Sequence, residues 1–160
     1  MSSEKQFRNP TEYGAPKPKT ATFTATGGAS MLLTNKNTGI KVESSTIGRI
    51  LDYNQTDPLN MGSVMAPAAA DTIYRHLKDM NRDPSYYDLI LTGDLGLYGK
   101  EILIDFMKTE YGLDISSNYN DCGVMLYDLE TQKEVLAGGS GPVCSCLLYT
   151  SDAADDLLCV

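Results

Sequence analysis

The chain has 160 residues, of which 42% are hydrophobic and 21% are charged, and its formal net charge at pH 7 is -8. This composition is typical of a folded globular protein, and the acidic balance argues against nucleic-acid binding, which depends on Lys and Arg to neutralise phosphates. No apolar run approaches the roughly 20 residues that cross a bilayer, and the first residues lack the apolar core of a signal peptide.

The first half of the chain predicts strands followed by a helix. Residues 20–26 alternate in the period of a strand with one buried face. Residues 29–34 and 40–52 flank a loop that contains Asn and Gly, and they predict two antiparallel strands. Residues 66–80 have Ala, Ile, Leu and Met at helical spacing, with Pro67 near the first turn, which predicts a helix.

The second half predicts a strand, a glycine turn and a further helix. Residues 88–92 form a short apolar run that predicts a strand buried on both faces. An apolar stripe over residues 100–111 predicts a helix that stops at Gly112. Residues 124–129 and 134–137 predict a hairpin that leads into a glycine-rich segment. The resulting order, β, β, β, α, β, α, β, β, favours a layered α/β fold with a mixed sheet.

The last residues are interpreted as a separate tail. The codons that would encode residues 146–156 match a transposon end sequence used in making sequencing libraries, and this segment does not continue the preceding pattern. The hypothesis is therefore that residues 1–145 form a partial domain and that residues 146–160 are sequencing-adapter read-through. A genuine acidic carboxyl tail is the alternative.

Five segments together resemble the stage V sporulation protein AD family, and they include the uncommon strings MAPAAAD and LILTGDL. The segments are residues 6–14, 57–71, 87–95, 120–127 and 137–141. That family has a thiolase-like fold of two similar halves. The resemblance implies an incomplete thiolase-like layered fold, in which this chain supplies the end of the first half and most of the second. The half with the family's equivalent of the thiolase nucleophilic cysteine would be missing.

The resemblance also implies a role in forming dormant bacterial spores. It implies binding of dipicolinic acid, with calcium as an accompanying ion and no other cofactor, and help with its uptake into the developing spore. The implied partners are other stage V sporulation membrane proteins, the missing amino-terminal half and a second copy in a homodimer. The implied location is peripheral, at the forespore or spore inner membrane. The alternative is an acyltransferase, related to thiolases and ketoacyl synthases, that uses a cysteine of the missing half with Cys144 assisting.

Catalysis of the thiolase type needs a nucleophilic Cys, assisted by His or a second Cys, and donors for an oxyanion. In related ketoacyl synthases a strand like the one predicted at residues 88–92 leads to a catalytic His, whereas here Gly93 and Asp94 follow it. The single histidine, His76, lies inside a predicted helix, where a surface or packing role is favoured. We therefore predict no catalytic residue in this chain.

The candidate ligand-binding residues lie at predicted strand ends, in the glycine-rich segment and near the start of the chain. They are Gly93, Asp94, Asp121, Cys122, Cys144 and Arg8. Ligands of open α/β sheets bind at strand ends, and a dicarboxylate needs Arg, Lys or a bridging cation. Arg8 and Lys100 are the candidate positive groups, and Asp94 or Asp121 would suit calcium. The alternative is that Asp94 caps a turn and Asp121 starts a strand. The cysteines lack zinc-site spacing, so no structural metal is expected.

Overall fold

The computed structural model describes residues 18–36, 41–57 and 59–146. The elements are β1 (Phe23–Thr24), α1 (Met61–Asp79), β2 (Ile90–Thr92), α2 (Gly96–Tyr111), β3 (Tyr119–Asp121), α3 (Cys122–Leu126) and β4 (Gly139–Ser140). Short 3-10 helices lie at Pro84–Tyr86 and Lys133–Val135. The described part of the chain is therefore a mixed α/β structure, as the sequence predicts.

The strands form two parallel pairs. β1 pairs with β4, with Phe23 opposite Gly139. β2 pairs with β3, with Thr92 opposite Asp121 at the last position of both strands. Because the two strands of a parallel pair run in the same direction, the residues that follow Thr92 and Asp121 emerge at the same edge.

Both predicted helices are present, and both begin earlier than predicted. The side chain of Asn60 accepts a hydrogen bond from the backbone amide of Ser63, and this cap starts α1 at Met61. Pro67 therefore lies inside the helix, and its predicted place near the first turn is wrong. The second helix ends as predicted, because Gly112 adopts the left-handed conformation with φ 67° that closes a helix.

The main core lies between α1 and α2. Its buried residues are Ala66, Ala70, Leu77, Leu95, Leu103, Met107, Ile115 and Tyr119. The two helices approach closely where Gly62 faces Gly99, since a Cβ on Gly62 would lie 2.7 Å from the Cα of Gly99. This contact positions the first turn of α2, which directly follows the carboxyl end of β2.

The predicted antiparallel strands at residues 29–34 and 40–52 are wrong for the part of them that the structure describes. Residues 29–34 and 41–52 contain no strand, while residue 40 lies outside the described residues. Their apolar side chains face solvent: Leu32 is 93% exposed and Ile50 is 98% exposed. A strand needs hydrogen bonds from a neighbouring strand, and β-type composition alone does not supply them. The strand predicted at residues 20–26 shortens to Phe23–Thr24 for the same reason.

Two further predictions also fail. The hairpin over residues 124–129 and 134–137 is replaced by α3 and a 3-10 helix, because Asp121 accepts a hydrogen bond from the backbone amide of Gly123 and starts a helical turn. β2 is not buried on both faces, since Leu91 is 43% exposed. Among the described residues, β2 has β3 as its single neighbour, so one side of the strand stays uncovered.

The segment at residues 41–57, which contains no helix or strand, is anchored to α1 by a buried carboxylate. The side chain of Asp71 is 5% exposed and contacts Nη2 of Arg49 and Nε of Arg75, each at 2.8 Å. The hydrogen bond from Arg49 is the largest influence that lowers the pKa of Asp71 below its usual value. The two arginines are 54% and 42% exposed, so solvent screens part of this attraction.

We expect Asp71→Asn to lower the free energy of unfolding by about 2 kcal/mol at neutral pH, because it removes the charged acceptor of both arginines. The folded-state pKa of Asp71 lies below the unfolded-state value of about 3.9. The stabilisation is therefore present above that value and is lost as the pH falls through the folded-state pKa. Urea unfolding followed by circular dichroism should show the gap between the two proteins narrowing in acid. An unchanged gap would contradict this account. Asp105→Asn, at an exposed position of α2, is the control.

Candidate ligand-binding site

The candidate site lies at the edge where β2 and β3 end. Gly93 and Asp94 follow β2, and Cys122 follows Asp121, the last residue of β3. The helical residues 143–146 come after β4 and bring Cys144 to the same place. Five of the six candidate residues therefore meet at one edge, and the sixth, Arg8, lies outside the described residues.

Asp121 is the centre of this edge and is 0% exposed. Its carboxylate accepts hydrogen bonds from Thr92 Oγ1 at 2.9 Å and from the backbone amides of Leu95 at 3.3 Å, Gly96 at 2.9 Å and Gly123 at 3.0 Å. These donors belong to β2, to the turn before α2, to α2 and to α3. One carboxylate of β3 therefore holds together four other parts of the fold, a role that the sequence did not predict for it.

The four groups that donate hydrogen bonds to the Asp121 carboxylate are all neutral, and this determines the direction in which its pKa shifts. Burial raises the pKa of the Asp121 carboxyl, while the four hydrogen bonds oppose the rise. Thr92 extends the network, since its Oγ1 lies 2.6 Å from the hydroxyl of Tyr119. Burial likewise raises the pKa of Tyr119. Nothing in the sequence singled out Thr92 or Tyr119, because their role depends on the pairing of the two strands.

Gly93 leaves room for a thiol. A Cβ placed on Gly93 would lie 2.5 Å from Sγ of Cys144, so this sulfur occupies the space where a side chain would begin. The next residue, Asp94, has a left-handed backbone with φ 66°, a conformation that non-glycine residues adopt rarely. Its side chain is half-buried. Asp94 is therefore held in an unfavourable conformation at the strand end, which is common at functional sites.

The two cysteines at this edge differ in exposure. Cys122 is 3% exposed and packs with Val143 and Ala25, whereas Cys144 is exposed. Burial, and after it the hydrogen bond with Cys144, raises the pKa of Cys122 to about 12. Cys122 is therefore a neutral thiol at physiological pH. Cys122 also starts α3, and the alternative that Asp121 starts a strand is wrong, because Asp121 is the last residue of β3.

Lys100 is the candidate positive group for an anionic ligand that lies within the described residues. Lys100 lies in the first turns of α2, and its Nζ donates a hydrogen bond to Oδ1 of Asn120 at 2.8 Å. Asn120 is the neighbour of Asp121 in β3, so Lys100 is tied to the same strand. The described residues contain no group of three or more His, Cys, Asp or Glu side chains arranged to hold a metal ion.

His76 lies away from the candidate site. Its Nε2 is 2.6 Å from the hydroxyl of Tyr87 and its Nδ1 is 2.8 Å from Thr46 Oγ1. Tyr87 precedes β2, whereas Gly93 follows it, so the imidazole is tied to residues at the opposite end of the strand. The surface or packing role of His76 stays a prediction, and these contacts place the imidazole away from the candidate site.

The comparison with known proteins decides the family. A family model described as stage V sporulation protein AD matches residues 1–157. The chain is 48% identical over 150 residues to the stage V sporulation protein AD of Bacillus subtilis (strain 168), which covers 94% of the chain. The chain belongs to the stage V sporulation protein AD family. The family predicted from the five sequence segments is thus confirmed.

The chain spans 44% of the length of that Bacillus subtilis protein. The activity, ligands and partners of a complete stage V sporulation protein AD are therefore matters of proposal for this chain. No helix among the described residues combines the length and the apolar character that crossing a bilayer requires. The division into residues 1–145 and an adapter-derived tail stays a prediction.

Proposed function

We propose that this chain is part of a non-catalytic, thiolase-like protein of sporulation that binds dipicolinic acid, alone or as its calcium complex. In this proposal the protein aids the uptake of dipicolinic acid into the developing spore. Family membership supports the sporulation role, and the mixed α/β structure with parallel strand pairs is consistent with a thiolase-like layered fold. The site would lie at the shared edge of β2 and β3, where ligands of α/β sheets usually bind.

One observation carries the non-catalytic part of the proposal. A catalytic edge presents free backbone donors to a developing oxyanion and an imidazole beside them. Here the amides of Leu95, Gly96 and Gly123 already donate to the buried carboxylate of Asp121. The position of a strand-end imidazole is held by Gly93, whose side-chain space contains the thiol of Cys144. This arrangement suits holding a ligand better than transforming it.

Charge supports calcium as the accompanying ion. Dipicolinate carries two carboxylates, and the chain has a net charge of -8, so the two repel unless a cation lies between them. Oxygen ligands such as carboxylates suit Ca²⁺, and Asp94 is the partly exposed carboxylate at this edge. The ligand would complete a coordination shell that the protein supplies only in part. Arg8 is the second candidate for direct contact with the ligand.

The proposed partners follow from the uncovered apolar surface. Leu32, Ile47 and Ile50 are each more than 90% exposed, which is unusual for large apolar side chains grouped in one part of a chain. The Bacillus subtilis relative is more than twice as long as the matched part, so we propose that an amino-terminal half covers this surface. A homodimer, contacts with other stage V sporulation membrane proteins and a peripheral location at the forespore or spore inner membrane are proposed with it.

Isothermal titration calorimetry of the full-length protein that contains this chain tests the proposal. We expect saturable binding of dipicolinate in the presence of calcium, and at least about tenfold weaker binding after Asp94→Asn, because a charged ligand oxygen is lost. Isophthalate, which lacks the ring nitrogen, is the control ligand, and Asp105→Asn is the control variant. An absence of dipicolinate binding at every accessible concentration, with and without calcium, would refute the function.

The exposed thiol of Cys144 is the observation that favours the alternative, an acyltransferase that retains cysteine chemistry. Incubation of the full-length protein with acyl-coenzyme A, followed by intact mass spectrometry, separates the two functions. A covalent acyl-enzyme that turns over would establish the acyltransferase. Its absence, together with dipicolinate binding, would reject it.

A further inference from the structure

Two thiols meet over Gly93 at the end of β2. The register of β2 and β3 sets Thr92 opposite Asp121, so the next residues, Gly93 and Cys122, leave the two strands side by side. Sγ of Cys144 lies over Gly93, at 2.5 Å from the place that a Cβ would take. Cys122 packs against Val143, the residue that precedes Cys144 in the chain. The absence of a side chain at Gly93 therefore allows the sulfur of Cys144 to lie beside the position where Cys122 leaves β3.

We propose that Cys122 and Cys144 form a redox-active dithiol, which reacts with small-molecule disulfides and closes to an internal disulfide. The exposed Cys144 is the thiol that a disulfide in solution reaches, and the buried Cys122 is the resolving thiol. The bond would tie the start of α3 to the residues that follow β4. This inference does not depend on dipicolinate binding.

The reaction is a double thiol–disulfide exchange with a low-molecular-weight disulfide, RSSR. The thiolate of Cys144 attacks one sulfur of RSSR, which forms a mixed disulfide and releases RS⁻. The thiolate of Cys122 then attacks the sulfur of Cys144 and releases the second RS⁻. The two cysteine protons pass to the two released thiolates, so two protein thiols are oxidised and RSSR is reduced to two RSH.

The environment of Cys122 favours this order of attack. Its raised pKa keeps it protonated before the reaction, so it is a poor first nucleophile. Exposure favours the same order, because Cys144 is exposed and meets a disulfide in solution first, whereas Cys122 is 3% exposed.

The test uses the 160-residue chain with Cys146→Ser and Cys159→Ser, which leaves Cys122 and Cys144 as its cysteines. After treatment with oxidised glutathione, intact mass spectrometry should show a loss of about 2 Da and no retained glutathione. Dithiothreitol should reverse the change, and a peptide map should show Cys122 linked to Cys144. Retention of glutathione on Cys144, with Cys122 still open to alkylation after denaturation, would overturn the proposal.

Two comparisons of the rate of disulfide closure distinguish a dithiol that the fold holds in place from two cysteines that are close by chance. Closure should be at least about tenfold faster in the native protein than in urea, since the fold holds the thiols together. Gly93→Ala should slow closure by a similar factor, because the new methyl group displaces the sulfur of Cys144. Equal rates in all three samples would overturn the proposal. In Cys122→Ser, glutathione should stay on Cys144 because the resolving thiol is absent. The rate comparison decides the question even where that variant does not fold.

Discussion

Asp121→Asn is expected to lower the free energy of unfolding by about 3 kcal/mol, because Asp121 is fully buried and accepts four hydrogen bonds. Asparagine keeps one acceptor oxygen and turns an NH₂ group toward backbone amides that are themselves donors. Unsatisfied buried donors cost about 1–3 kcal/mol each, and a new donor–donor contact adds to this. The loss is therefore expected to exceed that of any single surface substitution in the chain.

Urea unfolding followed by circular dichroism measures this loss, and hydrogen exchange locates it. The amides of Leu95, Gly96 and Gly123 should exchange faster in the variant, while the amides within α1 should change much less. Asp105→Asn is again the control, since it makes the same chemical change at an exposed position. A loss below about 0.5 kcal/mol, the usual range for surface sites, would show that the carboxylate does not organise this edge.

The second large effect is self-association of the isolated chain. Met31, Leu32, Leu33, Val42, Ile47 and Ile50 are all more than 70% exposed. We call these six residues the apolar strap. Burying a large apolar side chain contributes about 1.5–3 kcal/mol, so copies of the chain should cover the apolar strap against each other when no amino-terminal half is present. Light scattering should therefore show oligomers that grow with concentration.

The triple variant Leu32→Ser, Ile47→Ser and Ile50→Ser should weaken this association by at least about 100-fold, since it removes three of the most exposed apolar side chains. Lys36→Ser and Lys41→Ser, in the same two segments, form the control and should leave association unchanged. If the unmodified chain is a monomer at all concentrations, the apolar strap does not need to be buried against another surface. Association that persists in the triple variant would place the contact elsewhere.

The sequence predicted the local elements that depend on neighbouring residues. Helical spacing located both long helices, and Gly112 was read correctly as the end of the second. The strand predicted at residues 88–92 is present as the shorter Ile90–Thr92, and a glycine turn and a helix follow it as predicted. These features follow from side-chain periodicity and from backbone preferences within a few residues. The starts were placed too late because the Asn60 cap and the Gly96 turn lie outside the apolar stripes.

Two of the failed predictions concern strands that need a distant partner. Residues 29–34 and 40–52 have strand-like composition, yet their described residues form no strand. A strand is stabilised by hydrogen bonds to a neighbouring strand, and the periodicity of one segment contains no information about that neighbour. The hairpin at residues 124–137 failed differently, because a capping bond from the amide of Gly123 to Asp121 was enough to start α3.

The candidate residues show the same difference between what neighbouring residues predict and what depends on distant contacts. Positions at predicted strand ends identified four candidates, which are Gly93, Asp94, Asp121 and Cys122. The glycine-rich segment identified Cys144. The structure brings these five together, while their role in binding a ligand stays a prediction. Neither the four hydrogen bonds of Asp121 nor the meeting of two thiols over Gly93 is visible in the order of residues. The first arises from the parallel pairing of β2 with β3, and the second also needs the helical residues 143–146 that follow β4.

By itself the sequence determined the family, the two long helices and the absence of a strand-end histidine. Each of these depends on residue identity and short-range spacing, which a chain carries before it folds. Tertiary structure decided what the edge of β2 and β3 is: a buried carboxylate that occupies the backbone donors, with a thiol in the space beside Gly93. That outcome depends on contacts between residues more than 20 positions apart, which only the packed chain brings within hydrogen-bonding distance.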